Sequence, residues 1–326
     1  MAKTKLNYPQ IMLIVFSFFI FIVIIMSPST YLNSVSNGIM VWATIILPGL
    51  IPFMFLSKIL SSIPYTYSSC FVLNKLTKKC FSCPKETGYI YFMSILSGYP
   101  LGSKLIKDYY DNNVLSYDDC KKAVAFCSTS GPIFMIGSVG SSLIGNYTAG
   151  IIIFCAHILG SFFNGLLFKG RKTAGNYSSP IIEAKAQNIL NDSMYSTVIS
   201  SLIVGGFIAF TFLLIDILQN FGALATIGEL LNNTIFMGRL NAGNQVAAGL
   251  VEVTRGCLEI SQSSLSIQAK TIICSALTAF GGASVHLQCM VFLSSIKIKY
   301  SYFLKTKLAH TVITAVLAYI MCLFMF

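Results

Sequence analysis

The chain has 326 residues, of which 55% are apolar and only 10% charged, against roughly 25% charged in an ordinary soluble domain. That deficit excludes a soluble globular reading, because most side chains cannot face water. The net charge of +11 does not indicate a nucleic-acid partner: the bases sit in short loops beside apolar runs, with no basic face interleaved with aromatics. The apolar runs are continuous rather than alternating, and Ile11–Met26, Ala149–Phe168 and Leu308–Phe326 carry no charge. Each is near the roughly 17–25 residues that cross a bilayer as a helix. Hydrocarbon tolerates only helices and closed barrels, so the fold class is an all-α polytopic membrane protein.

In chain order, the basic start (Lys3, Lys5) leads into a first helix over Tyr8–Met26. Met26-Ser27-Pro28 is a poor cleavage site, so this helix is expected to stay attached. A charge-free loop over Ser27–Gly38 is expected next. Helix two spans Ile39–Ile63 and should be kinked by Pro48 and Pro52. Within the basic stretch Pro64–Gly88, Cys70–Phe81 reads as an amphipathic surface helix. The Cys80-Phe-Ser-Cys83 spacing lacks a second pair, so the ten cysteines read as reduced structural thiols rather than a zinc site.

Tyr89–Ile106 is interrupted by Ser97-Gly-Tyr-Pro-Leu-Gly102, and neither half is long enough to cross alone; this predicts a re-entrant hairpin. Ser116-Tyr-Asp-Asp119 is a helix start. Cys120–Val139 is broken by Ser128-Thr-Ser-Gly-Pro132, a charge-free loop over Gly140–Thr148 follows, and Ala149–Phe168 is a full crossing. Lys169–Asn191 is polar and reads as a linker. Then the order repeats: a crossing at Met194–Leu218, a Gly-broken piece at Gly243–Glu259, a crossing at Ala269–Phe292 broken by Gly281-Gly282, a basic stretch Lys297–Lys307, and a last crossing at Leu308–Phe326.

At an offset of 154 positions Phe53 meets Phe207, Leu96 meets Leu250, Gly102 meets Gly256, Phe126 meets Phe280 and Ser130 meets Ser284. Both clusters of helix breakers in one half fall on those of the other. The expected organisation is an N-terminal helix (1–37), repeat one (38–168), a cytoplasmic linker (169–191) and an inverted repeat two (192–326). With the N-terminus cytoplasmic, all of the 22 Lys and Arg except Arg239, Arg255 and Lys270 lie on or near the cytoplasmic side.

Inverted repeats with broken helices point to a transporter whose site lies near the midplane. The four breaks, Ser97–Lys104, Cys127–Pro132, Gly249–Cys257 and Phe280–Gln288, are therefore expected to converge. The candidate substrate-binding residues are Ser97, Gly98, Tyr99, Ser128, Thr129, Ser130, Glu252, Thr254, Ser284, His286 and Gln288. Glu252 reads equally as a ligand for solute or cation and as an internal ion pair with Arg255 at the i,i+3 spacing. His286 is the best single titratable candidate. Lys104 reads as snorkelling to the surface, and His157 and His310 as packing residues. No hydrolase elbow, zinc-protease or nucleotide-binding motif occurs, so no catalytic residue, metal or cofactor is expected.

Leu96-Ser-Gly-Tyr-Pro-Leu-Gly-Ser-Lys104, Phe126-Cys-Ser-Thr-Ser-Gly-Pro-Ile-Phe134, Gly249-Leu-Val-Glu-Val-Thr-Arg-Gly256 and Phe280-Gly-Gly-Ala-Ser-Val-His-Leu-Gln288, in that order, resemble the sporulation integral membrane protein YlbJ family. The resemblance covers roughly residues 38–326. The family carries the nucleoside recognition or Gate domain, akin to concentrative nucleoside transporters. The central linker is short for the family, and Gly131-Pro132 stands where Asn-Pro is the commoner pair. The resemblance implies a multi-pass bacterial cell or forespore membrane protein moving a small anionic solute, dipicolinic acid, during sporulation. Its partners would be that solute, the bilayer, a coupling ion (H+ or Na+) and further copies in a homo-oligomer. The alternatives are a non-transporting scaffold of spore-envelope assembly and an ion-conducting gate.

Overall fold

The computed structural model describes residues 8–61, 70–170 and 188–326. Lys3, Lys5, Ile63 and most of the expected linker, Lys172 included, lie outside them. Among the described residues five helices are long and apolar enough to cross a membrane: Pro28–Leu60, Tyr147–Leu167, Ile189–Asn220, Ile267–Leu293 and Tyr300–Met325. Gln10–Met26 and Ile133–Ile144 are shorter apolar helices.

The elements, in order, are α1 (Tyr8–Met26), α2 (Pro28–Val41), a π-helical turn (Trp42–Ile46), α3 (Leu47–Ser61), α4 (Phe71–Cys80), α5 (Thr87–Ser97), α6 (Leu101–Asp111), α7 (Tyr117–Cys127), a π-helix (Ile133–Ile144) and α8 (Tyr147–Leu167). The second half holds α9 (Ile189–Asn220), α10 (Ala223–Thr234), α11 (Gly243–Val251), α12 (Val253–Gln262), α13 (Ile267–Phe280), α14 (Gly282–Leu293) and α15 (Tyr300–Met325). Two of these bounds recur at the 154-residue offset. Cys80, which ends α4, lies 154 positions before Thr234, which ends α10. Ser97 lies 154 before Val251, so the two hairpins break in register.

Each boundary has a local cause. Ser116 and Asp119 cap α7 reciprocally: Asp119 N–H donates to Ser116 Oγ (3.2 Å), and Ser116 N–H to Asp119 Oδ2 (3.4 Å). Asn146 caps α8 by accepting from Ala149 N–H at 2.8 Å. The hairpin arms α5 and α6 have 11 residues each, roughly 16 Å of helix. That is about half of a bilayer core.

Three expectations are corrected. Ser27–Gly38 is not a loop: it is α2, which runs on through the π-helical turn into α3. Its small polar residues serve packing. A Cβ on Gly38 would come within 2.8 Å of Ala209 Cα, and Asn220 Nδ2 donates to the Tyr31 hydroxyl at 3.2 Å, so α2 lies close along α9. The distortion expected from Pro48 takes the form of the preceding π-turn. The loop over Gly140–Thr148 shrinks to Gly145-Asn146. Finally, α15 starts at Tyr300 rather than Leu308, which carries Lys305 and Lys307 into a helix instead of a basic loop.

The core lies between the two halves. Phe81, Phe126, Met135, Ile153, Ile260 and Phe303 are fully buried. Large apolar side chains of α1 (Phe16, Phe18, Phe21) and α15 (Val312, Leu323) stay exposed, as expected of faces turned to lipid.

Candidate functional site

Hairpin one ends α5 at Ser97 because Gly98 takes a positive φ of 74°, which a side chain would strain. A Cβ there would also meet Gly131 N at 2.5 Å, so the tip presses against the break between α7 and the π-helix. Hairpin two breaks differently. Glu252 is extended (φ −142°, ψ 118°), and its carboxylate caps α12 by accepting from Arg255 N–H at 2.7 Å. In the fourth break Gly281 and Gly282 both have positive φ, separating α13 from α14. A Cβ on Gly282 would come within 3.0 Å of Gly249 O and Val253 N, so hairpin two presses on this break as hairpin one presses on the other.

All four breaks line one cavity, which offers about 90 Å³ to the centres of water-sized molecules. A single water needs roughly 10–15 Å³ by that measure, so the space holds several waters or a small solute. Hairpin one contributes Ser97, Gly98 and Tyr99, and its break contributes Ser130, Gly131 and Phe134. Hairpin two contributes Glu252, Val253 and Thr254; its break contributes Thr278, Ser284, Val285 and Gln288. Leu50 and Phe53 of α3 and Val204 and Ile208 of α9 close the apolar side. Several facing residues are 154 apart: Gly98 and Glu252, Ser130 and Ser284, Phe134 and Gln288.

The polar groups here are deeply buried. Glu252, Thr254 and Ser284 are each about 1% exposed. The Ser97 and Ser284 hydroxyls have no hydrogen-bond partner in the protein. Leaving a buried hydroxyl unpaired costs about 1–3 kcal/mol.

Of the expected site residues, Ser97, Gly98, Tyr99, Ser130, Glu252, Thr254, Ser284 and Gln288 come together at this cavity. Ser128, Thr129 and His286 do not line it. Ser128 and Thr129 are buried behind the first break. His286 turns to the far side of α14, where Nε2 meets Phe280 O at 2.9 Å and Nδ1 meets the Tyr300 hydroxyl at 3.2 Å. The reason is helical phase: Ser284, Val285 and Gln288 share one face, and position 286 projects from the opposite one. The ion pair between Glu252 and Arg255 is absent. The Arg255 guanidinium reaches Glu259 at 2.5 Å and Asp216 at 3.3 Å instead. Lys104 does not reach the cavity.

Two groups read as loop or packing residues stand directly behind the site. His157 Nε2 accepts from Ser130 N–H at 2.9 Å, bracing the first break, and His310 Nε2 bonds the His157 carbonyl at 3.0 Å. Lys307, 1% exposed, donates to the Tyr99 hydroxyl and to Ser128 O at 3.3 Å. The sequence signal for Lys307 was its i,i+3 spacing from His310, which puts both on one face of α15.

No family model matches the chain. It is similar to the sporulation integral membrane protein YlbJ of Bacillus subtilis (strain 168), with 27% identity over 333 residues, covering 93% of this chain and 81% of that protein. Two solved structures of CNTnw variants share its fold. One is in an outward-facing state (TM-score 0.50, 14% identity, 85% of this chain and 75% of that one). The other is in the intermediate 1 state (TM-score 0.53, 16% identity, 85% and 76%). The chain is thus a polytopic helical membrane protein with the fold of the concentrative nucleoside transporters, resembling the YlbJ sporulation protein over nearly all of its length.

Proposed function

We propose that this protein is a secondary transporter or facilitator for a small, polar, anionic solute, and that residues 38–168 and 192–326 act as two inverted units around the shared cavity. The observation that carries this reading is the cavity itself: four helix breaks surround it, with Ser97, Ser130, Thr254 and Ser284 among its lining residues. Backbone breaks are tolerated at membrane depth where they line a polar space. A scaffold has no use for such a space. Helix N-termini at these breaks carry partial positive charge and favour an anion, and Ser97, Ser130, Thr254, Ser284 and Gln288 supply hydrogen-bond donors. Phe53, Phe134 and Ile208 suit the faces of a flat ring. Dipicolinic acid, a planar ring with two carboxylates, has this mixture of features, and the likeness to a sporulation protein supports it.

The test is uptake of labelled dipicolinate by vesicles containing the pure protein. Saturable uptake, competed by unlabelled dipicolinate and reduced by Ser284→Val, is the expected outcome. Vesicles no better than protein-free ones would remove dipicolinate as the solute. A steady ionic current through the protein without solute would favour the gate.

The cytoplasmic N-terminus belongs to the same reading and rests on the charge bias. Thiol labelling of Tyr147→Cys from outside intact cells, and of Lys79→Cys only after permeabilisation, is expected. Labelling of both from the same side would overturn the orientation.

A further inference from the structure

Lys307 is a fully buried lysine without an acidic partner. Among the described residues no carboxylate pairs with it; it meets the Tyr99 hydroxyl, the Ser128 carbonyl and the face of the Tyr99 ring, whose centre lies 4.5 Å from Nζ. Its titratable neighbours come from every side: Tyr99 on hairpin one, His286 and Cys289 on α14, His310 one turn along α15, and His157 on α8. None of them is an acid that would neutralise an ammonium near neutrality.

Of the two histidines behind it, the contacts fix His157 in a neutral form. His157 accepts the Ser130 N–H through Nε2, so that nitrogen carries no proton, and the ring's proton sits on Nδ1. His310 meets the His157 carbonyl through Nε2, which must therefore donate. The rings stack edge to face at 4.6 Å. A second proton on His157 would cost the Ser130 contact. Lys307, unlike His157, can gain or lose a proton while those contacts stay in place.

Its position is also one-sided. Lys307 belongs to the second half, yet it grips the tip of hairpin one and the first break. The position 154 earlier on α8 is Ile153, fully buried and apolar, so hairpin two has no such grip. Tyr99 stands between the ammonium and the cavity and touches both.

We propose that Lys307 is the coupling-proton site of this molecule: its amine takes one proton from the aqueous phase, and the ammonium latches Tyr99 and Ser128 while an anion occupies the cavity beyond. The argument rests on the transporter reading and deepens it. A lone buried ammonium is unfavourable, and an anion one side chain away offsets that, since charges attract more strongly where water is excluded. Coupling between two sites is reciprocal, so bound anion holds the proton as firmly as the proton holds the anion. Loss of the proton removes the charge from the latch and frees hairpin one. Sodium has no part in this arrangement.

Two measurements test it. The first needs no solute: amide hydrogen exchange of residues 96–103 in the purified full chain, between pH 6 and 9, corrected for the intrinsic rate. Protection at the hairpin tip should fall at least about fivefold as pH rises, and Lys307→Met should flatten the profile. Should that variant not fold, Tyr99→Phe, which keeps the ring and loses the hydroxyl, should shrink the fall. A flat profile in the native chain, or an unchanged one in the variant, overturns the proposal and leaves the cavity reading intact. The second is labelled dipicolinate in vesicles with membrane potential held at zero by valinomycin and equal potassium. A one-unit acid-outside gradient permits up to about tenfold accumulation per proton. The native chain should approach severalfold and Lys307→Met should stay near one, with a sodium gradient giving no accumulation. Sodium-driven accumulation, or accumulation by Lys307→Met equal to native, sinks the proton site. If no dipicolinate moves in any arm but the exchange profile behaves as expected, the solute assignment falls and the Lys307 site stands.

Discussion

Hairpin two carries its own brace, whereas hairpin one borrows one. At the tip of hairpin two the Glu252 carboxylate caps α12 within the hairpin, and Arg255 one turn on ties it to Asp216 of α9 and to Glu259. At the equivalent place in hairpin one stands Gly98, which has no side chain to cap α6. That tip is held from outside by Lys307 of the other half and by the break it packs on. Equal scaffolds thus carry unequal chemistry. The half that braces itself is suited to a fixed wall, and the half held by a single buried ammonium is suited to a moving one.

The largest expected effects come from the feature the halves share. Gly102 and Gly256, 154 apart, both sit where a Cβ would strike backbone: at 1.9 Å from Cys127 O and 2.3 Å from Gly249 Cα. Gly102→Val and Gly256→Val should each destabilise by about 3 kcal/mol or more, because backbone cannot yield as a side chain can. Little monodisperse protein should be recovered from either. Gly206→Ala, with nothing within 4 Å of the added carbon, should be neutral or stabilising by up to about 1 kcal/mol. A well-folded Gly256→Val would mean that the second hairpin is looser than described.

Next in size is Glu252, where the halves part. Glu252→Ala removes the cap and leaves a buried N–H unpaired, costing about 1–3 kcal/mol. Glu252→Gln keeps an acceptor oxygen and should cost less than about 1 kcal/mol in thermal unfolding. It also removes a negative charge from the cavity wall, which opposes an anion there, so dipicolinate uptake should be kept or rise severalfold. Lost uptake by a folded Glu252→Gln protein would mean that the carboxylate does more in the cavity than cap α12.

The sequence made the breaks legible because their causes are local. Gly98, Gly281 and the Ser128–Pro132 run interrupt apolar segments and can hardly be read otherwise, and the offset of 154 pairs the breaks in the sequence itself. What it hid depended on packing. The small polar residues of Ser27–Gly38 suit a turn in water, but beside α9 they suit a tight helix contact. Lys307 looked like one more base in a positive stretch, since burial behind hairpin one leaves no mark in composition. His286 stands in sequence between Ser284 and Gln288, but helical phase turns it away from them. The Glu252–Arg255 pair failed for a related reason: i,i+3 spacing brings side chains together only inside a helix, and Glu252 stands just before one.

That last point sets the smallest prediction, and it can be resolved by coupling energies. Arg255 lies 5.2 Å from the Phe212 ring and bonds Asp216 of α9, with both charges about one-fifth exposed. Partial exposure screens the pair, so Arg255→Met should cost about 1 kcal/mol. A double-mutant cycle with Asp216→Asn should return a coupling of about 0.5–1 kcal/mol. With Glu259→Gln the coupling should be about 0.3–0.5 kcal/mol, typical of an i,i+4 pair on a helix. With Glu252→Gln it should be near zero, because Glu252 holds the Arg255 backbone N–H, which survives the loss of the side chain. A coupling between Arg255 and Glu252 as large as that with Asp216 would restore the ion pair the spacing suggested. Hairpin two would then be braced by one internal charge pair, and its link to α9 through Asp216 would carry less of the difference between the halves.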